Sequence, residues 1–457
     1  MGNTETERKL PLISKVGYTV GAVGNTFCYM LVAAFTLLYC TNVIGLNAAV
    51  IGTILLVSRL LDGVSDVIMG WIIDRTNSKL GKARFWYIVS AAPLGLFTFL
   101  LFNVPGRFTD QTKYIYIFIT YTLMSAVAYT MCTIAGTALS ALVTKNMKER
   151  VQLGSLNFIA AIISSILISS ITSGLVDSFG GGQHGWFVVS LIYSVVCTVL
   201  ILLASLTLKE LPPEELYGTE EQQTQIAQKS SLKDAGLLLK NKYFLMILAI
   251  YLVQYLCSGL GQGMGIYFAT YKLGSPALFG ALTTAGMLPI CIALLFVPTL
   301  SAKLGIKKAA MLGNIVGIFG AVLIAIGGLT GAFALVIAGI VIKGFGTAPL
   351  TGALNALIAE TDEYSLLKFG KRLTGSIFAC SSVGQKVGTG LGTALCGFLL
   401  TLGGFDGMAA SQTATAVSVI NWSYLLSNGL PPVILTIILL FLNVEKDNKK
   451  MREAAQQ

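Results

Sequence analysis

Charge is what this sequence has least of. Asp, Glu, Lys and Arg together make up 11% of its 457 residues, against 54% hydrophobic ones, where a soluble chain carries about a quarter charged residues. That scarcity excludes a soluble multidomain protein. Histidine is nearly absent too: the single His184, in the turn GGGQHGW, has no neighbouring ligands and makes no metal site. The eight cysteines (Cys28, Cys40, Cys132, Cys197, Cys257, Cys291, Cys380, Cys396) all sit in apolar runs without CxxC spacing, and read as small buried hydrophobes. No nucleophile–base pair or metal constellation appears, so an enzyme is not expected. No cofactor is expected either. The polar start, MGNTETERKLPLISK, carries no cleavable-signal pattern.

What the sequence has instead is long apolar runs, exceeding the roughly 18–20 residues that cross a bilayer. Read against breakers, they give about twelve spans, beginning near Gly17, Ala48, Phe85, Tyr114, Leu153, Trp186, Phe244, Leu278, Ala309, Ala332, Leu373 and Ala416. The expected fold is therefore an all-α membrane protein. The net charge of +10 reports topology and implies no nucleic-acid partner. Basic clusters (Arg8 to Lys15, Lys145 to Arg150, Lys209 to Lys242, Lys303 to Lys308, Lys368 to Arg372, Lys446 to Arg452) fall in every second loop. By the positive-inside rule both termini are cytoplasmic, in a cell's inner membrane. The charged, Pro- and Gln-rich segment 209–242 reads as a linker between a six-helix half, 1–208, and a second, 243–457.

The densest chemistry lies in RLLDGVSDVIMGWIIDRTNSKLGKARFW, residues 59–86. Its apolar first part carries Arg59, Asp62 and Asp66. A charge at mid-membrane costs roughly 2.5–3.5 kcal/mol on insertion scales, so such residues usually face a cavity and serve a function. Asp62 and Asp66, four apart, share one helix face. Two carboxylates there repel unless a cation or proton lies between them, which is the requirement of a coupling-ion site. The motif Gly70-x3-Asp74-Arg75 with Leu80-Gly81-Lys82-Ala83-Arg84 closes the loop after the second span, and Lys303-Leu304-Gly305-Ile306-Lys307-Lys308 echoes it after the eighth. Repeats of six helices with a midplane site are the architecture of the major facilitator superfamily, whose cytoplasmic-loop signature the first copy resembles.

Other polar residues fall inside apolar runs: Asn25 and Thr26 in the first; Thr130, Thr133 and Thr137 in the fourth; Asn157 opening the fifth; Lys343 and Asn355 in the tenth; Ser381, Ser382 and Lys386 in the eleventh. Any single Thr or Ser more often bonds its own backbone than a ligand. Lys343 could snorkel or pair locally. Lys386 sits mid-span, where snorkelling fails, and calls for a carboxylate or anionic substrate. The glycines from Gly384 to Gly392 suit close helix packing, and Tyr29 and Tyr129 suit packing more than sugar stacking.

With these residues in hand, the chain resembles the glycoside–pentoside–hexuronide:cation symporter family, the group of melibiose permease and the bacterial glucuronide carrier. The resemblance covers essentially the whole chain. It is carried by Asp62-x3-Asp66-x3-Gly70-x3-Asp74-Arg75, by LSALVT…Glu149-Arg150, and by Glu360-Thr-Asp-Glu363-Tyr364…Arg372-x2-Gly375…Lys386-x-Gly388. It implies a cation site of Asp62, Ser65, Asp66 and Thr130, and a sugar site near Lys386, Ser381 and Ser382. Asp74, Arg75, Arg84, Glu149, Arg150, Glu363 and Arg372 would gate at the cytoplasmic loops. Where melibiose permease has two Asp and an Arg around its sugar, this chain has Thr26, Thr133 and Asn157. Loss of two carboxylates admits an acidic sugar facing Lys386 or Arg59 as readily as a neutral glycoside, with Asn25, Thr133, Thr137, Asn157 and Asn355 serving either. The implied function is secondary transport of a sugar with Na⁺ or H⁺, by a monomer in membrane lipid. A lysolipid carrier or exporter of the same fold, and a sensor without turnover, are the rival readings.

Overall fold

In the computed structural model, residues 10–144, 147–212, 240–370, 374–409 and 411–456 are described. Arg372 and most of the expected linker lie outside them, and the side chains of Asp74, Asn355 and Ser382 are likewise not described. The described residues are helical, without a strand. They fall into two compact units, one within 1–228 with Asp406–Ala409, the other within 229–405 and 410–457.

In the first unit, α1 (Leu12–Leu38) continues into a π-helical turn, Tyr39–Val43. Then come α2 (Ala48–Arg75) and α3 (Lys82–Leu101). Helix α4 (Asp110–Thr122) passes through a π-helical segment, Leu123–Tyr129, into α5 (Thr130–Leu142) as one continuous rod. Helices α6 (Met147–Ser178) and α7 (Gly182–Thr207) complete it. The second unit holds α8 (Lys242–Tyr267), α9 (Leu278–Leu294), the short α10 (Val297–Leu304) and α11 (Ile306–Thr330). It continues with α12 (Phe333–Phe369), α13 (Thr374–Leu402), α14 (Ala414–Phe441) and the polar tail helix α15 (Val444–Gln456). Ten helical stretches among the described residues are long and apolar enough to cross a membrane, and Leu278–Leu294 is a shorter apolar helix, against about twelve spans expected.

Starts follow the polar residues at the ends of the apolar runs. Asn47 caps α2, accepting from Ala49 N at 2.9 Å, and Asn241 caps α8, accepting from Tyr243 N at 3.0 Å. Small residues set the closest packing: a Cβ on Gly392 would run into the Leu256 carbonyl, so the α13 glycines hold that helix directly on α8.

One expectation about a boundary changes. The motif at Glu360–Tyr364 belongs to a helix: α12 runs 37 residues to Phe369, about 55 Å, well beyond a hydrocarbon core of ~30 Å. Arg75 ends α2, while Arg84, Glu149 and Arg150 stand in first turns of helices, so the described signature residues are helix-end residues. The first residues of the expected linker are tied to the first unit. Leu211 N donates to Leu142 O at 2.9 Å, and the Glu210 carboxylate accepts from Lys82 N, Ala83 N and Arg84 N at 2.8, 2.8 and 2.6 Å. A carboxylate finds there three unsatisfied N–H donors and the positive end of the helix dipole. Gly81 permits this with its φ of +105°, and a Cβ on it would come within 2.5 Å of the Glu210 carboxyl carbon.

Candidate functional site

Helix α2 presents Asp62 and Asp66 one turn apart, and α5 answers with Thr130 at its first residue. Thr130 Oγ1 lies 2.7 Å from Asp62 Oδ1, 3.2 Å from Asp66 Oδ1 and 3.2 Å from the Ser125 carbonyl. Ser65 Oγ donates to the Asp62 carbonyl at 2.9 Å and lies 3.3 Å from Thr130 Oγ1. Asp62 is 1% exposed and Thr130 2% exposed, so neither relies on bulk water. One hydroxyl carries one proton and cannot serve three acceptors at once. The cluster of hard oxygens is suited to a small cation, or to a proton shared between the carboxylates.

The π-helical segment Leu123–Tyr129 ends where this site begins. Widening the helix lets Ser125 O, five residues back, turn toward the Thr130 hydroxyl, and π-bulges of this kind recur at functional sites. Nothing in the hydrophobic pattern announces it, because the pattern reports faces and not local winding.

Arg59, expected to meet a substrate carboxylate, turns toward the protein instead. It is 7% exposed, its Nη1 lies 3.8 Å from Asp62 Oδ2, and its guanidinium lies over the Tyr29 ring at 5.1 Å from the centroid and 6.0 Å from that of Tyr121. Tyr29 stacks on Tyr129 with centroids 4.8 Å apart. Aromatic faces and a carboxylate together make a buried guanidinium affordable. The formal charges of Arg59, Asp62 and Asp66 sum to minus one.

Beside this cluster, Asn25 Nδ2 donates to Thr133 Oγ1 at 3.2 Å, while Asn25 Oδ1 is buried without a hydrogen-bond partner. A buried acceptor left unmet costs free energy and is a place for a ligand hydroxyl. Thr26 is half-buried on the same helix. Thr137 departs from expectation: it is exposed, and its hydroxyl donates to the Thr133 carbonyl at 2.8 Å, the ordinary backbone bond of a helix threonine. Asn157 is exposed on α6, and no hydrogen bond draws it into the cluster. In the second unit, Ser381 and Lys386 are half-buried on α13, each engaged with a neighbour.

At the helix ends, Glu149 pairs with Lys15 at 2.6 Å, and Arg150 Nε donates to the Thr144 carbonyl at 2.8 Å. Arg84 Nε donates to Ser205 O at 2.8 Å, and the Arg75 guanidinium stacks on Trp71, 3.9 Å from its centroid. Glu363 forms a two-point pair with Arg452 of the tail helix.

The profile of the MFS/sugar transport protein family matches residues 17–446. The chain is 26% identical over 452 residues to the isoprimeverose transporter of Lactiplantibacillus pentosus, covering 98% of this chain and 92% of that one. It is 29% identical over 449 residues to a putative glycoside/cation symporter of Escherichia coli K12, covering 96% and 92%. Among solved structures, a D-xylose–proton symporter superposes with a TM-score of 0.63 at 15% identity, covering 93% of this chain and 97% of that one. The chain belongs to the MFS/sugar transport protein family, as a glycoside–pentoside–hexuronide:cation symporter with the major facilitator fold.

Proposed function

We propose that this chain carries a sugar across the membrane in symport with one monovalent cation, Na⁺ or H⁺, held among Asp62, Ser65, Asp66 and Thr130. The observation that carries the reading is the Thr130 hydroxyl within 3.2 Å of both carboxylates, in a group whose net charge, with Arg59, is minus one. A single monovalent cation or proton neutralises that group. The names of its relatives, a glycoside/cation symporter and an isoprimeverose transporter, point the same way.

Coupling follows from cost. An unneutralised negative group is expensive to enclose away from water. The empty-handed carrier therefore resists closing, and a bound cation removes that penalty. For the sugar, glycoside or hexuronide, the first unit offers Asn25 Oδ1 and Thr133 and the second unit offers polar groups of its own, and transport proceeds by alternating access. Hydroxyl-directed groups of this kind favour a sugar over an amphipathic lipid. Both termini lie in the cytoplasm of an inner-membrane protein that works as a monomer. There the pairs Lys15–Glu149 and Glu363–Arg452 brace the helix ends of each half.

The test is uptake into proteoliposomes of a panel of neutral glycosides and glucuronides, with Na⁺ and pH gradients imposed separately. One gradient should drive accumulation, and Asp62→Asn should abolish it. Unchanged uphill uptake in Asp62→Asn would refute the cation site. Failure of every sugar under both gradients would return the function to lipid carriage or export.

A further inference from the structure

The second unit holds a lysine inside an apolar helix that the symport mechanism does not use. Lys343 is the eleventh residue of α12, about 15 Å along the helix from its first residue. The preceding helix ends at Thr330, three residues before α12 begins, so that turn marks one membrane face. Lys343 therefore lies near the middle of a hydrocarbon core of ~30 Å. At that depth a lysine cannot readily snorkel to water, and an ammonium there marks a functional site by default.

Its partner is too weak for that position. Lys343 Nζ donates to Asn428 Oδ1 on α14 at 2.8 Å, and the other neighbouring group is the Cys257 thiol on α8. Among the described residues, no carboxylate pairs with it. The amide is itself fixed: Asn428 Nδ2 donates to the Tyr424 carbonyl at 2.8 Å, which aims its oxygen at the ammonium. The lysine is thus oriented without a carboxylate partner among the described residues, and it is half-buried.

The same face of α12 continues as Thr347 and Thr351 at four-residue spacing. Gln254 of α8 donates from Nε2 to Thr351 Oγ1 at 3.3 Å, while its Oε1 is buried without a hydrogen-bond partner. Thr347, Thr351, Gln254 and Asn428 are all half-buried. From Lys343 to Thr351 is two turns, about 12 Å, the length of a small glycoside. One end offers a positive charge. The other offers Thr351, whose hydroxyl donates to the Thr347 carbonyl at 3.1 Å and so keeps acceptor capacity only, and the Gln254 amide, whose unmet Oε1 is an acceptor that a sugar hydroxyl can satisfy.

We propose that Lys343, aimed by Asn428, reads the charge of the substrate: it pairs with the carboxylate of an acidic sugar whose hydroxyls meet Thr351 and Gln254. This rests on the sugar-symport reading and narrows it to hexuronides. Lys343 is a specificity-determining residue, and Asn428 positions it.

The experiment compares two ligands that differ only at one carbon, phenyl β-glucuronide and phenyl β-glucoside, in proteoliposomes of the full chain. Wild type should prefer the glucuronide. Lys343→Gln should shift the ratio of the two KM values at least tenfold toward the glucoside. Asn428→Asp, which gives the lysine a resident carboxylate and keeps it paired should Lys343→Gln fold poorly, should shift the ratio the same way. Equal changes for both sugars would assign Lys343 a structural role and overturn the proposal. So would wild-type uptake of the glucoside alone, which would leave cation-coupled sugar symport standing. If neither sugar is transported and neither raises the thermal midpoint of the purified protein, both readings fail.

Discussion

In the first half, buried Arg59 and Asp62 and half-buried Asp66 crowd into one group with a formal charge of minus one, roofed by Tyr29 and Tyr121. In the second half, Lys343 stands with an amide for a partner and no carboxylate beside it among the described residues. Both arrangements are costly in an apolar slab. They differ in what would relieve the cost. On the proposed reading the first would be relieved by a cation among its oxygens. On the same reading the second would be relieved by an anion at Lys343. An intramembrane charge left unbalanced by its own half states what that half is built to receive.

The sharpest way to break this contrast is to change the count on the first side. Arg59→Gln leaves two carboxylates with no countercharge, so a single monovalent cation no longer neutralises the group. Uphill accumulation should fall more than tenfold, while Arg59→Lys, which restores the charge without the planar fork, recovers part of it. Accumulation assays under the driving gradient check both. Wild-type accumulation in Arg59→Gln would mean that Arg59 does not belong to the charge balance. A smaller effect is expected at Thr130. Thr130→Val preserves shape and removes one oxygen, and loss of one such contact is worth about 1.4 kcal/mol, a tenfold rise in the cation concentration for half-maximal uptake. Should that concentration stay unchanged, the hydroxyl is not a ligand.

How far these features are legible in the sequence depends on whether they are local. Asp62 and Asp66 declare themselves, because a charge in an apolar run is visible in one dimension and their shared face follows from spacing. The apolar passages follow from the same one-dimensional cost. The start of α6 falls at Met147 rather than near Leu153, because helix continues past the apolar run into polar residues whose backbone still pairs. Other features need partners remote in the chain. Arg59 looks available for a ligand until Tyr29 and Tyr121 are seen around it, 30 and 62 positions away. Lys343 is visible as a charge, yet Asn428 lies 85 residues on. Thr137 looks like a site residue only because spacing cannot tell a hydroxyl facing a cavity from one bonded to its own helix.

The repeated cytoplasmic turn gives the smallest and cleanest comparison. Gly81 opens α3 at φ +105° and Gly305 opens α11 at φ +83°, the same unusual conformation at the same place in each half. A cation in each following turn then reaches the end of a later helix: Arg84 Nε donates to Ser205 O at 2.8 Å, and Lys307 Nζ to Leu440 O at 2.9 Å. Only the first copy adds a carboxylate cap. Glu210 accepts from three backbone N–H groups, whereas nothing among the described residues lies within 4 Å of a Cβ built on Gly305. Removing the cap with Glu210→Ala should cost about 1–2 kcal/mol. For a half of this size that lowers the thermal midpoint by roughly 2–8 °C, measured on the purified protein in detergent. A carboxylate that merely lay near the helix would leave the midpoint where it was. Because the second copy folds without such a cap, the loss should weaken the first half's cytoplasmic corner without unfolding it, and transport should persist at temperatures below the new midpoint.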